Sequence, residues 1–421
     1  MRRLLVLLFC LSAPVMAQNG ASTVVARPIL VGYLPQWGLY STPPWSAQQL
    51  VTSGSARLLD QIDYSQAKIV NGHCAIADPE ADVQHVYTAQ TSVDGTADTP
   101  EGSKPTVLRG EFHQLQELHR LYPHIRMLIS IEGNASAFAD AATPEKRPAF
   151  VASCIDMFLR GNVAPDMQAR DLFTGIDVDW EYPNRNGPGG RTDGADYSGL
   201  LVEFRRQLTA YAAQTSGAEP YLTVAVSPGL GRYPGVAWPT VARSVDLVGL
   251  MNYDYNGPWQ KQTGIVAPLY AIPGAAQESG NVDGTVREYE SAGIPAAKLL
   301  LGVPFYGYQW TGVTQAGTQH GLGAAGKPMS EDTPYHGIVA LPGAAKPFRD
   351  PHSAAPWIYD GNAFWTYEDP TSIEAKAAYA RAHGLAGMMI WELSDDTADG
   401  TLTRAMRAGL NPSRSAPAAE H

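Results

Sequence analysis

The stretch Gly175-Ile176-Asp177-Val178-Asp179-Trp180-Glu181-Tyr182-Pro183 governs the reading of the whole chain. Read as a strand, it sends alternate residues to opposite faces, so Asp177, Asp179 and Glu181 share one face. Three acids stacked this way are electrostatically costly, because like charges so close resist joint ionisation. One of the aspartates is therefore expected to hold a proton, and Glu181 to have a raised pKa. A raised pKa is what a general acid needs to protonate a leaving-group oxygen. A cation site or an exposed acidic face would show the same alternation. Flanking Phe173, Ile176 and Val178 favour a buried strand with the acids running to its C-terminal end, and hence catalysis.

Outward from this strand, short β-rich apolar runs alternate with helix-like periods in both directions, the pattern of parallel strands joined by crossover helices. Strands are expected at 29–33, 68–71, 126–131, 175–180, 222–226, 247–251, 299–303 and 387–390. Helical stretches are expected at 109–122, 145–160, 197–215, 285–292 and 372–383. Eight strands with intervening helices make an α/β chain of the (β/α)8 TIM-barrel type, whose active sites lie at the C-terminal ends of the strands. The strand at 68–71 carries the weakest signal, since Gly72 and His73 interrupt it. The Gly-, Pro- and Ala-rich region 312–364 is long for a plain loop. It is expected to be a small α+β insertion between strand seven and its helix, with the barrel running over 18–411 and a disordered tail at 412–421.

Composition narrows the partners. With 44% hydrophobic and 17% charged residues over 421 positions, the chain can bury a sizeable core. A formal net charge of -11 argues against nucleic acid or an anionic membrane as partner, while a neutral polysaccharide stays compatible. The 20 Tyr and 9 Trp offer rings for stacking on sugars, though core packing uses the same residues. Arg2-Arg3, the apolar run Leu4 to Leu11 and the small residue Ala17 read as a signal peptide over 1–17, which predicts a secreted or periplasmic protein without a membrane segment after cleavage. A lipid anchor on Cys10 is the rival reading, and Leu8-Phe9 before it matches a lipoprotein cleavage site poorly. Cys74 and Cys154 can pair in an exported protein or stay as two buried thiols, and sequence carries no geometry to choose between them. No Cys or His spacing suggests a metal, and no cofactor motif is present.

The acidic stretch resembles the Asp-Gly-x-Asp-x-Asp-x-Glu signature of glycoside hydrolase family 18 chitinases, with Thr174 in place of the leading Asp. The resemblance recurs in order through Val31-Gly32-Tyr33, 247–254, 299–307, Thr366-Tyr367-Glu368-Asp369-Pro370 and Met389-Ile390-Trp391. It implies a chitinase, retaining and substrate-assisted, acting on chitin or chitooligosaccharides without cofactor, as a monomer. In that family the substrate's own acetamido group is the nucleophile, an exception to the two-carboxylate scheme. By motif position Glu181 would protonate the glycosidic oxygen and later deprotonate water, Asp179 would orient the acetamido group, and Asp177 would share a proton with Asp179. Tyr253 would donate to the acetamido carbonyl, Asp254 would bind a hydroxyl or the acetamido N–H, and Met251 would line the acetyl pocket. Trp391 would form the apolar floor under the sugar, with Tyr33, Tyr182 and Tyr306 as further candidates of that kind. Ser130 would hydrogen-bond the aspartate pair. Trp37, Trp259 and Trp310 would either extend a stacking groove or pack at the surface. One departure stands out: the family's Ser-x-Gly-Gly reads Ser130-Ile131-Glu132-Gly133 here, placing an extra carboxylate near the cleft that is expected to alter the pH optimum. A chitin-binding lectin on an inactive barrel would lack the acid, and Glu181 is present. An endo-β-N-acetylglucosaminidase acting on N-glycans or peptidoglycan shares the acids; the Met-x-Tyr-Asp motif, Trp391 and the insertion favour a chitinase.

Overall fold

The computed structural model describes residues 27–99, 107–185, 192–272, 280–314, 319–342, 344 and 346–411. The expected signal peptide at 1–17 and tail at 412–421 lie outside the described residues. A closed barrel of eight parallel strands is ringed by helices. Its strands are β1 (Ile29–Pro35), β2 (Gln61–Val70), β4 (Arg126–Asn134), β5 (Gly175–Glu181), β6 (Tyr221–Val226), β7 (Leu247–Leu250), β8 (Leu299–Pro304) and β15 (Gly387–Trp391). They run in the order β1-β15-β8-β7-β6-β5-β4-β2, and the β1–β2 pairing closes the ring. β3 (His73–Ile76) hangs off β2 as an antiparallel hairpin partner.

The principal helices are α1 (Ala47–Ser53), α2 (Gly110–Leu121), α3 (Ala135–Ala141), α4 (Arg147–Cys154), α5 (Asp193–Thr215), α6 (Trp238–Ser244) and α7 (Val282–Ser291). α8 (Tyr335–Ile338) belongs to the insertion, and α9 (Pro370–Ala382) and α10 (Thr401–Leu410) complete the ring. Local chemistry starts them. Thr192 accepts from the Ala195 N–H ahead of α5, and Asp369 with Ser372 forms a capping box before α9, where Pro370 needs no amide donor. The short α6 and α1 escaped the sequence reading because each has too few turns to show a period.

Two apolar clusters divide the interior. One lies between strands and helices and includes Ile176, Val178, Trp180, Phe150 and Phe204. The other fills the barrel mouth with Val31, Tyr33, Leu300 and Met389 and continues into Tyr308, Trp310, Trp357 and Phe364 of the insertion. Close packing inside the barrel demands glycine at position 302, where a Cβ would lie 2.2 Å from the Leu250 carbonyl oxygen. Cys74 and Cys154 are joined in a disulfide tying β3 to α4 across 80 residues of sequence.

The second strand needs correction. The barrel strand begins at Gln61 and makes its ring contacts through 61–67, whereas 67–70 is the arm that pairs with β3. Its inward face carries Gln61, Asp63 and Ser65, so no apolar alternation marked it. The extra segment also draws in its flanks. β9 (Tyr306–Thr311), β10 (Lys327–Pro328), β11 (Thr333–Pro334), β12 (Phe348–Arg349), β13 (Pro356–Tyr359) and β14 (Phe364–Thr366) pair antiparallel around α8. This small α+β unit thus spans 306–366 and stands over the barrel mouth.

Candidate active site

β5 presents the ladder. Val178 and Trp180 point outward and are fully buried, while Asp177 and Asp179 are 1% and 4% exposed and Glu181 opens into the cleft. Asp177 is held by three hydroxyls: Tyr33 and Ser130 donate to Oδ2, each at 2.9 Å, and Thr223 donates to Oδ1 at 2.5 Å. Register explains the set, because Ser130 on β4 and Thr223 on β6 lie directly beside Asp177 in the sheet. Asp179 receives no such help, and its Oδ1 is buried without a hydrogen-bond partner. Donors stabilise an anion, so the three hydroxyls favour the charge on Asp177 and the proton on Asp179. Burial raises both acids above the ordinary carboxylate range. For Asp177 the three hydroxyls oppose that rise, whereas for Asp179 the neighbouring charges of Glu181, Glu132 and Asp177 add to it. Glu181 is also raised, first by its surroundings; the Tyr182 hydroxyl and the Arg232 guanidinium pull it down, and Asp254 pushes it up.

A cavity of about 180 Å³ opens beside the two upper acids, lined by Tyr33, Asp179, Glu181, Tyr182, Ala225, Pro228, Met251, Tyr253, Asp254, Tyr306 and Trp391. Asp254 sits at φ 59°, and accepts from the Tyr306 and Tyr308 hydroxyls at 2.7 and 2.9 Å. The Trp391 ring packs 5.3 Å from that of Tyr33. On the far side of Trp391 a larger cavity of about 660 Å³ continues past Trp37, Trp45, Asp332, Glu392 and Asp395. Burial lifts Glu392 to about 7 and Asp395 to about 9 there.

A family model described as glycosyl hydrolases family 18 matches residues 29–396, which takes in the barrel, the ladder and the insertion. The chain belongs to glycosyl hydrolase family 18. It is 34% identical over 91% of its length to Chitinase C of Streptomyces lividans and 35% identical over 91% to Chitinase 63 of Streptomyces plicatus. It spans 60% of the length of each of those relatives. The catalytic domain of psychrophilic chitinase B from Arthrobacter TAD20 superposes with a TM-score of 0.81 at 31% identity, covering 92% of this chain and 96% of that one.

In this family 18 chain Tyr33, Ser130, Tyr182, Met251, Tyr253, Asp254, Tyr306 and Trp391 all lie around the three acids of the ladder. Some do a different job from the one expected. Tyr33 and Tyr306 are hydrogen-bond donors to carboxylates as well as wall. Trp37 faces Trp391 at 6.1 Å and lines the larger cavity, and Trp259 is 58% exposed beside Tyr308. Trp310 is not a groove residue: it is fully buried, and its indole N–H donates to the Gln260 carbonyl at 2.9 Å. Sequence reasoning passed over Thr223, Tyr308, Arg232 and the polar face of β2. Thr223 could have been found by extending inward alternation to β6; Arg232, which stands 5.3 Å over the Tyr182 ring, lies in a short loop helix that carries no comparable signal.

Proposed function

We propose that this protein is a chitinase that hydrolyses β-1,4-N-acetylglucosamine linkages with retention, using the substrate's acetamido group as nucleophile. One observation carries the reading: Asp177 held by three hydroxyl donors, Asp179 with a buried oxygen free of partners, and a raised Glu181 stand in line against a partly open cavity of about 180 Å³. Glu181 serves as the general acid, and the aspartate pair, sharing one proton, carries one negative charge for stabilisation. No second carboxylate is needed on the opposite sugar face.

Glu181 gives its proton to the glycosidic oxygen as the bond breaks, so the leaving chain departs as an alcohol. The acetamido carbonyl oxygen attacks the anomeric carbon, forming an oxazolinium ion. Asp179 accepts a hydrogen bond from the acetamido N–H through its unprotonated oxygen while sharing its proton with Asp177, so that the negative charge of the aspartate pair lies below the developing cation. Tyr253, buried in the cavity wall, donates to the acetamido oxygen. Glu181, now anionic, takes a proton from water, which opens the oxazolinium at the anomeric carbon and restores the original configuration. Intramolecular placement of this kind can remove about 7–11 kcal/mol from a barrier.

The deciding measurement is hydrolysis of two oligomers that differ only in the acetyl group on the sugar at the scissile bond. The acetylated one is expected to be cleaved at least 100-fold faster. Equal rates would exclude substrate assistance. Products from chitin oligomers of defined length, set against N-glycan and peptidoglycan substrates, separate a chitinase from an endo-β-N-acetylglucosaminidase. We also propose a secreted or periplasmic location, supported by the Cys74–Cys154 disulfide, which persists in an oxidising compartment. The mature protein recovered from outside the cytoplasm should lack residues 1–17 by intact mass.

A further inference from the structure

β4 brings a fourth carboxylate to the ladder. Glu132 lies directly beside Asp179 in the sheet register, two residues above Ser130 and on the same face. The Ser65 hydroxyl on β2 donates to its Oε1. A cavity of about 270 Å³, lined by Gln66, Glu132, Gly133, Asp179 and Glu181, shares only Asp179 and Glu181 with the acetamido cavity. Glu132 therefore meets the ladder from the side that the acetamido group does not occupy. Asp179 has a buried oxygen with no partner, and no Lys or Arg side chain among the described residues pairs with Asp179 or Glu132.

We propose that Glu132 is a positioning residue acting through Asp179: its carboxylate, fixed by Ser65 beside Asp179 in the sheet, favours the neutral form of that acid and so extends the working pH range of the enzyme upward. This rests on the chitinase reading above.

The groups facing the pair decide the sign. Asp179 meets Asp177 and Glu181 on its own strand, Glu132 from β4, and the hydroxyls of Tyr33, Tyr182, Tyr197 and Tyr253 from the surrounding elements. Glu132 in turn faces the Ser65 hydroxyl, Asp177, Glu181 and, just past β15, Glu392; burial lifts it to about 7. Near and above neutrality it becomes an anion, and an anion beside Asp179 favours the neutral form of that acid. Loss of the Asp179 proton is thereby pushed to higher pH. Neutral Gln at 132 keeps an acceptor for Ser65 while removing the charge.

The test is the pH dependence of kcat on a chitin oligomer for wild type, Glu132→Gln, Glu132→Asp and Ser65→Ala. Glu132→Gln is expected to move the alkaline limb down by about 1 pH unit while the rate on the plateau changes less than threefold. Glu132→Asp keeps a charge and should restore part of the range. Ser65→Ala removes the hydroxyl that stabilises the Glu132 anion, and should shift the limb in the same direction as Gln by a smaller amount. An unmoved alkaline limb in a folded Glu132→Gln enzyme would overturn the proposal. A rate loss at every pH with an unmoved limb would overturn it too, because that outcome means contact with substrate. If Gln at 132 prevents folding, the Ser65→Ala and Glu132→Asp profiles carry the same decision. Inactivity of the wild type on every acetylated oligomer would instead be a failure of the chitinase reading.

Discussion

Glu368, at the foot of α9, and Asp177, on β5, are each 1% exposed, yet the protein treats them in opposite ways. Glu368 faces a cation: Lys376 Nζ lies 2.6 Å from one carboxylate oxygen, and the Ser372 hydroxyl donates to the other at 2.7 Å. Burial pushes Glu368 up and Lys376 down, and their mutual attraction opposes both shifts. Asp177 has only hydroxyls, and its neighbours Asp179, Glu181 and Glu132 are further acids. An acid paired with a cation and a hydroxyl does structural work, tying the segment before α9 to the helix itself. A buried run of acids without a cation is a cost that a structural role does not explain, and it marks where protons move.

The comparison breaks first at Glu181. Glu181→Gln should lower kcat on a chitin oligomer by about 10²–10⁴-fold or more, because the amide keeps the shape but has no acidic proton to give. Its thermal midpoint should match or exceed that of wild type, since a like charge leaves the cluster. A variant that retains half the wild-type turnover would remove Glu181 from the role of acid. Lys376→Met should do the reverse. It strands Glu368 without its cation and should cost about 3–5 kcal/mol of unfolding free energy, while kcat per folded molecule stays unchanged. Adding Glu368→Leu should recover most of the loss in denaturant titrations. If the double variant remains as unstable as the single one, the cost lies in packing rather than charge.

A third contrast lies in covalent linkage. Reducing Cys74–Cys154, or replacing both residues with Ala, should lower stability by about 2–4 kcal/mol, reflecting the long loop that the bond closes in the unfolded chain. The ladder lies on a different element, so activity measured below the new melting transition should change little. A large kcat loss at low temperature would show that β3 and α4 shape the cleft.

The same divide explains what could be read from sequence. The ladder was legible because strand alternation and charge cost speak through residue type alone, and the outward Val178 and Trp180 gave the strand its apolar signature. Seven of the eight expected strands overlap the barrel strands closely for the same reason. β2 failed, since the barrel face of 61–67 carries Gln61, Asp63 and Ser65, which hides a strand from any apolar pattern. Which aspartate holds the proton was not legible either. It depends on three hydroxyls brought from β1, β4 and β6, separated from Asp177 by 144, 47 and 46 positions. Trp310 shows the converse: its place near a strand end suggested a groove, and the insertion folded over it. Glu132 was visible as a departure from its motif, but its partner Ser65 sat on the strand that had been misplaced.

The smallest predicted effect tests the proton assignment itself. Thr223 is the donor to Asp177 Oδ1, while Tyr33 and Ser130 share Oδ2. Thr223→Val keeps the side-chain shape and the β-branched preference of β6 and deletes one donor. Hydrogen bonds to a carboxylate favour its anion, so losing one raises the Asp177 pKa further. On the proposed mechanism the Asp177 charge stabilises the oxazolinium cation, so protonation of Asp177 would set the acid limb of the rate profile. That limb should therefore move to higher pH by about 1 unit, the lower end of the roughly 1.5–3 kcal/mol that a hydrogen bond to a charged group is worth, because two donors remain. The alkaline limb should stay in place, in contrast to Glu132→Gln, which moves the alkaline limb and spares the acid one. Opposite limbs answering to two residues on either side of β5 would fix the charge on Asp177 and the proton on Asp179. If Thr223→Val moves the alkaline limb instead, the proton belongs on Asp177 and the assignment must be reversed.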